Sequence, residues 1–415
     1  METHLADFIR DTRAGRDAEE ILRKCVHCGF CTATCPTYQL FGDELDGPRG
    51  RIYLIKQVLE GAEPTEKTRL HLDRCLTCRS CESTCPSGVH YSRLLDIGRE
   101  IVEAKVPRSG ADGLMRAGLK TLLPRPALFG VAMKLGQMVR PLLPGIVKAK
   151  VPPLSSAGAL PRTQHTRRMI ALAGCAQPSM YPNINGATTR VLDQLGISLV
   201  EVAGAGCCGA VRHHLAAVDA ARDDARRNID AWWPLLEAGA EALVMTASGC
   251  GSHVREYGHL LQDDADYALK AARVTLLTRD VSEIVSAERE ALATKLADCH
   301  PLADDQKPLA FHSPCSLQHG QQIRGVVESL LTMAGYRLTQ VGDGHLCCGS
   351  AGTYSILQHD ISIQLRANKL GALTAGAPRA IASANVGCIA HLADGAGIPV
   401  KHWIELIDNR LAEKV

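Results

Sequence analysis

The stretch CVHCGFCTATCP (25–36) decides how this chain begins to fold, and CLTCRSCESTCP (75–86) repeats it at an offset of 50. Both run Cys-x2-Cys-x2-Cys-x3-Cys-Pro, through Cys25, Cys28, Cys31 and Cys35 and through Cys75, Cys78, Cys81 and Cys85. Two-residue spacing lets three thiolates of one loop face a single [4Fe–4S] cube, while the fourth, one residue further on and followed by proline, turns toward a second cube. Two such loops therefore cross-ligate. The expected ligands are Cys25, Cys28, Cys31 and Cys85 for cluster one, and Cys35, Cys75, Cys78 and Cys81 for cluster two. Structural zinc would use C-x2-C pairs with four ligands per ion, and needs neither a third C-x2 step nor the terminal proline. Between the loops, RIYLIKQVLEG (51–61) sets Ile52, Ile55, Val58 and Leu59 at helical spacing, so residues 1–104 read as one mostly helical, metal-binding domain.

The whole chain has 415 residues, 46% apolar and 22% charged, enough for two to four folded domains at about 150 residues each. Lys plus Arg (46) nearly balance Asp plus Glu (44), and aromatics are few (5 Phe, 3 Trp, 8 Tyr), which argues against a nucleic-acid partner. The N-terminus METHLADFIRDTRAGRDAEE is charged throughout, so no signal peptide is expected and the protein is assigned to the reducing cytosol. There its 17 cysteines are expected to hold metal rather than disulfides. The longest apolar run, PALFGVAM (126–133), stops at Lys134, well short of the roughly 18 residues that span a bilayer, so any membrane contact is peripheral.

From Lys105 to Lys150 nine Lys/Arg face one acid, Asp112, and prolines 124, 126, 141 and 144 interrupt the segment. Residues 105–165 therefore read as a basic helical connector, either a packing surface or a peripheral membrane anchor. Beyond residue 166, apolar runs (MIALAGC, ISLVEV, ALVMTASGC) alternate with helical stretches such as DAARDDARRNIDAWWPLLEAG, which predicts α/β units with parallel sheets. That helix is expected to end at Pro234, with Trp232 and Trp233 in the core. An internal repeat is present: Cys175, Cys207, Cys208 and Cys250 recur as Cys315, Cys347, Cys348 and Cys388 at offsets of 140, 140, 140 and 138. The copies span 166–300 and 301–415. Each set follows an apparent strand, where open α/β sheets build sites, so each copy is expected to carry a metal or redox site, with His253 and His391 as further ligands or proton donors. The alternative is that these are small buried thiols beside tight glycine turns. GAGCCG (204–209) imitates a dinucleotide loop, but the second copy reads GDGHLC (342–347), which loses the three-glycine pattern while Cys-Cys-Gly remains. GAEPTEKT (61–68) puts Glu66 where a phosphate loop needs glycine, and Cys299 reads as a linker thiol; no catalytic residue is assigned.

ILRKCVHCGFCTATCPTYQLFGDELDGPRGRIYLIKQVLEG, HLDRCLTCRSCESTCPSGVHYSRLLDIGR, NIDAWWPLLEAGAEALVMTASGCG and HLCCGSAGTYS together resemble a known family, the iron–sulfur subunits of bacterial glycolate oxidase. The resemblance implies a multidomain α + α/β protein: an N-terminal helical ferredoxin domain with two [4Fe–4S] clusters, then two tandem α/β cysteine-rich (CCG) domains. The latter are similar to those of heterodisulfide reductase-related subunits, whose pattern ends in C-x-x-C; here both copies end in C-x-x-H, at His253 and His391. The resemblance further implies electron transport within an oxidoreductase complex at the inner face of the cell membrane. FAD-containing partner subunits would oxidise glycolate to glyoxylate, and this chain would pass the electrons to a quinone. The CCG domains leave room for further iron–sulfur centres. Two other readings stay open: the same wiring serving another 2-hydroxy acid or glycerol 3-phosphate flavoprotein, and a disulfide-reducing role for the tandem copies.

Overall fold

In the computed structural model, which describes residues 1–148 and 150–413, the first cysteine loop runs straight into a helix. Cys35 precedes the helix Pro36–Phe41, and Pro36 takes its first position. A fixed φ and a missing N–H cost nothing there. The second loop encloses the short helix Ser80–Thr84, which ends at Cys85. The two loops also turn alike: His27 and Thr77 have φ of 56° and 54°, and Gly29 and Arg79 have φ of 85° and 59°. The helices Arg13–Lys24, Pro48–Leu59 and Tyr91–Lys105 pack over the loops. Ile52, Ile55, Val58 and Leu59 are all buried there, against Leu22, Leu94, Leu95 and Val102. Gly98 permits the close crossing, because a Cβ at that position would lie 2.6 Å from Ile55 Cγ1.

Within 105–165 lie the helices Gly110–Leu122 and Pro126–Met138, then the short helical turns Arg140–Leu142 and Gly145–Lys148, then chain without regular structure; Ala149, like Lys414 and Val415 of the second copy, lies outside the described residues. The segment is docked rather than free. Arg108 and Arg116 reach the Asp73 carboxylate at 2.8 and 3.1 Å, and Gln137 donates to the Ser179 carbonyl at 3.1 Å. Its outer face leaves Leu114, Met115, Leu128, Val131, Leu135 and Met138 exposed. Among the described residues no helix is long and apolar enough to cross a membrane.

The apolar runs beyond residue 166 form two four-stranded sheets. Strands β1 (Arg167–Ala171), β2 (Ile197–Glu201), β3 (Leu243–Met245) and β4 (Thr278–Asp280) lie in the order β2-β1-β3-β4. Strands β5 (Pro308–His312), β6 (Arg337–Leu338), β7 (Ala380–Ser383) and β8 (Val400–His402) repeat it as β6-β5-β7-β8. All neighbours are parallel, so the α + α/β organisation expected from the residues holds. One core joins both sheets, with Ile184, Val191 and Val285 packed into the same cluster as Val327, Leu331, Trp403 and Ile407. Arg190 pairs with Asp408 at 2.7 Å across that junction.

The helix expected to stop at Pro234 instead runs from Val218 to Glu237. A proline so near the end removes one backbone hydrogen bond, and burial of Leu236 holds the last turn. Trp232 is fully buried, whereas Trp233 is only partly covered, with Lys270 and Arg273 each 5.4 Å from its ring centre.

Candidate metal centres

Two cavities adjoin in the N-terminal domain. The first, of about 440 Å³, is lined by Cys25, Cys28, Cys31 and Cys85 with Val26, Phe30 and Ile52. The second, of about 320 Å³, is lined by Cys35, Cys75, Cys78 and Cys81. Each loop thus contributes three thiols to one cavity and its fourth to the other; Cys81 and Tyr91 stand in the wall between them. Burial pushes the Cys31 thiol up to about 11 and raises Cys25, Cys78 and Cys81 as well. Such thiols ionise only against cationic charge placed among them, and four converging sulfurs in an apolar cavity are the donor set of a soft, iron-bearing cluster. The residues fit that group.

The surroundings hold the sulfurs in place. Tyr91 donates to Cys75 Sγ at 3.6 Å and the Thr77 N–H does so at 3.4 Å. Arg99 donates to the carbonyls of Leu72 and Cys75, both at 2.8 Å. Beneath the second cavity, the fully buried Asp46 carboxylate meets His71 Nδ1 at 3.0 Å, Arg74 at 2.7 Å and Arg51 at 3.4 Å. Burial works against the Arg51 charge, but the thiols, Tyr91 and Asp46 around it outweigh that and hold it protonated.

Each tandem copy brings its four cysteines together beyond the carboxyl ends of its central strands, where such sheets place ligands. In the first copy Cys207 lies beside Cys175 and Cys208, and Cys208 beside Cys250. In the second, Cys315 Sγ lies 3.4 Å from Cys347 Sγ, and Cys348 lies against Cys347 and Cys388. Among the described residues, neither histidine singled out from the sequence falls in a metal-sized group with these sulfurs. His391 Nε2 sits 3.2 Å from Ser362 Oγ, and His253 Nε2 is buried without a partner beside the Gly209 turn. His312, at the end of β5, is instead the ring whose nitrogen lies within 4.8 Å of the Cys348 and Cys388 sulfurs. Burial lowers it to about 3, so it presents a neutral nitrogen. Sequence reasoning missed it, although the signal exists: the place three residues before the first cysteine is His312 in one copy and Leu172 in the other. Cys299 is buried, with its thiol on the Lys295 carbonyl at 3.3 Å.

The second copy abuts the second cavity. Cys78 packs in one apolar cluster with Cys315, Cys347, Leu76, Leu40 and Tyr354, and Tyr354 donates to the Arg74 carbonyl at 3.0 Å. The first copy meets the N-terminal domain elsewhere, where Arg79 and Arg93 grip Glu256 at 3.1 and 3.0 Å.

Residues 21–89 match the family model of the 4Fe-4S dicluster domain, and residues 170–255 and 309–393 match that of the cysteine-rich domain. The chain is 54% identical over 415 residues to the glycolate oxidase iron-sulfur subunit of Escherichia coli (strain K12), covering 100% of both chains. It is 29% identical over 430 residues to a Bacillus subtilis (strain 168) protein named "Probable glycolate oxidase iron-sulfur subunit", covering 94% of this chain and 92% of that one. Over 242 residues it is 24% identical to lactate utilization protein A of the same organism, covering 57% of this chain and 97% of the relative.

Proposed function

The chain belongs to the family of glycolate oxidase iron–sulfur subunits, and we propose from that premise a wire within a glycolate-oxidising complex. As an electron-transfer subunit of an oxidoreductase, it takes electrons from FAD on a partner subunit that converts glycolate to glyoxylate, and passes them toward a membrane quinone. The division 1–104, 105–165, 166–300 and 301–415 describes its working parts. Cys25, Cys28, Cys31 and Cys85 hold one cube and Cys35, Cys75, Cys78 and Cys81 the other, and bound clusters supply one-electron steps. Cys175, Cys207, Cys208 and Cys250, with Cys315, Cys347, Cys348 and Cys388, form the second tier, as metal ligands or redox thiols.

The observation that carries this reading is the wall shared by Cys78, Cys315 and Cys347, which supports the second copy as the next stop after cluster two. Leu40, Leu76 and Tyr354 keep water out of that wall, and the fixed Arg51 charge favours an arriving electron at the second cavity. The exposed apolar side chains of 110–142, with Lys120, Arg125 and Lys134 among them, suit peripheral contact with an anionic lipid face.

The test is to add glycolate anaerobically to the purified complex and follow the cluster signals by EPR. Reduction of clusters that dithionite also reduces supports the reading; clusters that stay oxidised while the partner flavin bleaches overturn it. The likeness to a lactate utilization protein favours one second reading, with lactate as fuel. It predicts that lactate, and not glycolate, reduces the same clusters.

A further inference from the structure

We propose that Asp96, His213 and His214 form a binding site for one divalent first-row cation of the zinc type, which clips the N-terminal helical domain to the first tandem copy. Asp96 lies on the helix Tyr91–Lys105, and the two histidines lie on the helix Ala210–His214 that directly follows Cys207-Cys208-Gly209. One ligand atom from each of the three residues falls within a group no more than 4.8 Å across. Yet none of them closes a hydrogen bond. His213 Nδ1 stands 3.8 Å from Asp96 Oδ2, and His214 Nδ1 stands 3.9 Å from Asp96 Oδ1. Both gaps exceed hydrogen-bonding distance.

Asp96 Oδ1 is buried with no hydrogen-bond partner at all, an arrangement that is costly unless an ion or water fills it. Two nitrogens set off from the two oxygens of one carboxylate frame such a space. Ligands about 2.1 Å from a tetrahedral zinc ion stand about 3.4 Å from one another, so an ion would draw in ligand atoms that now lie within 4.8 Å of one another. Against its burial, His213, His214 and Arg99 hold the Asp96 carboxyl well below its usual range, so it presents a charged oxygen to that space. Burial lowers His213, leaving its ring neutral, which is the form that ligates metal. Burial lowers His253 still more, and its ring centre is 5.3 Å from that of His213. The Arg99 guanidinium gives its hydrogen bonds to Thr77 and the carbonyls of Leu72 and Cys75, so it brings charge but no hydrogen bond to Asp96.

Two imidazoles and a carboxylate suit Zn²⁺ or Fe²⁺, and with no sulfur among the three residues the cation would be chemically distinct from cluster iron. The His214 side chain is 41% exposed, so one coordination position opens to water or an exogenous ligand. Asp96 comes from one domain and both histidines from the other, so the ion would reinforce the Arg79–Glu256–Arg93 contact between them.

The test uses the full chain with its clusters intact, chelator-washed and then given Zn²⁺, with zinc and iron counted per chain and the zinc environment read by K-edge X-ray absorption. One zinc per chain with a nitrogen and oxygen shell is expected. Asp96→Asn and, separately, the more exposed His214→Gln should each weaken zinc binding at least tenfold while iron content stays at the wild-type value. Substoichiometric zinc in the wild type, a sulfur-containing shell that places the ion on the tandem-copy thiols, or zinc binding unchanged in His214→Gln would each overturn the site.

Discussion

Tyr91→Phe removes one hydroxyl, the one that donates to Cys75 Sγ across 3.6 Å in a buried setting. A donor on a ligand sulfur stabilises the more negative, reduced cluster more than the oxidised one, so losing it lowers the midpoint potential. A hydrogen bond to a charged group contributes about 1.5–3 kcal/mol in total, and the share that differs between two states one electron apart is about 1 kcal/mol. For a one-electron couple about 1.4 kcal/mol corresponds to 59 mV, so the potential should fall by about 40 mV. Tyr91 lines both cavities, but its hydroxyl is committed to Cys75, so the shift belongs to the cube held by Cys35, Cys75, Cys78 and Cys81. The assay is an EPR-monitored redox titration of Tyr91→Phe in two backgrounds. In Cys85→Ala, which takes a sulfur from the first cavity, the shift should persist; in Cys35→Ala, which takes one from the second, it should vanish. A shift confined to the Cys35→Ala background would refute the crossed ligand sets.

Iron analysis of the same single variants should show about four irons lost from about eight in each, with a different EPR signal surviving in each; loss of one common signal from both would contradict two independent cubes. Asp280, buried ahead of the helix Val281–Ala287, is raised by burial to about 6, above the roughly 3.9 of an unfolded chain. Its folded form therefore holds a proton more tightly, and stability should decline as pH rises from about 4 through 6, by up to about 3 kcal/mol at pH 8. Asp280→Asn keeps the capping acceptor, so in urea unfolding it should stabilise more at pH 8 than at pH 5; a pH-independent difference would exclude this. Gly98→Ala pushes a methyl to within 2.6 Å of Ile55 Cγ1 and should cost about 1–3 kcal/mol in the same assay, with Ile55→Val recovering part of it. Changing Lys120, Arg125 and Lys134 to Glu should weaken binding to anionic vesicles by about 1 kcal/mol per charge removed, and unchanged binding would rule out lipid contact through this face.

What the sequence determined by itself was local or periodic. Cysteines at i, i+3 and i+6 share one turn of loop, so the three-plus-one division of each loop is an expectation from spacing; Cys81 lines both cavities and the other seven cysteines line one each. Ile52, Ile55, Val58 and Leu59 mark a buried helix face through their period, and the offset of 140 announced two copies before any strand was placed. Features that depend on more than neighbouring residues were not set by local spacing. The rule that proline ends a helix missed the last turn at Pro234, which burial of Leu236 sustains. His253 and His391 stood close to the cysteines in sequence, but His391 turns to Ser362 and His253 lies buried without a partner beside Gly209, while His312 reaches Cys348 and Cys388 from a different strand. Only the tertiary structure decided that Cys78 faces the second copy and not the first, and that Asp96 stands before His213 and His214. Those meetings join residues more than a hundred positions apart, and the whole packed core sets their distance, which no local spacing encodes.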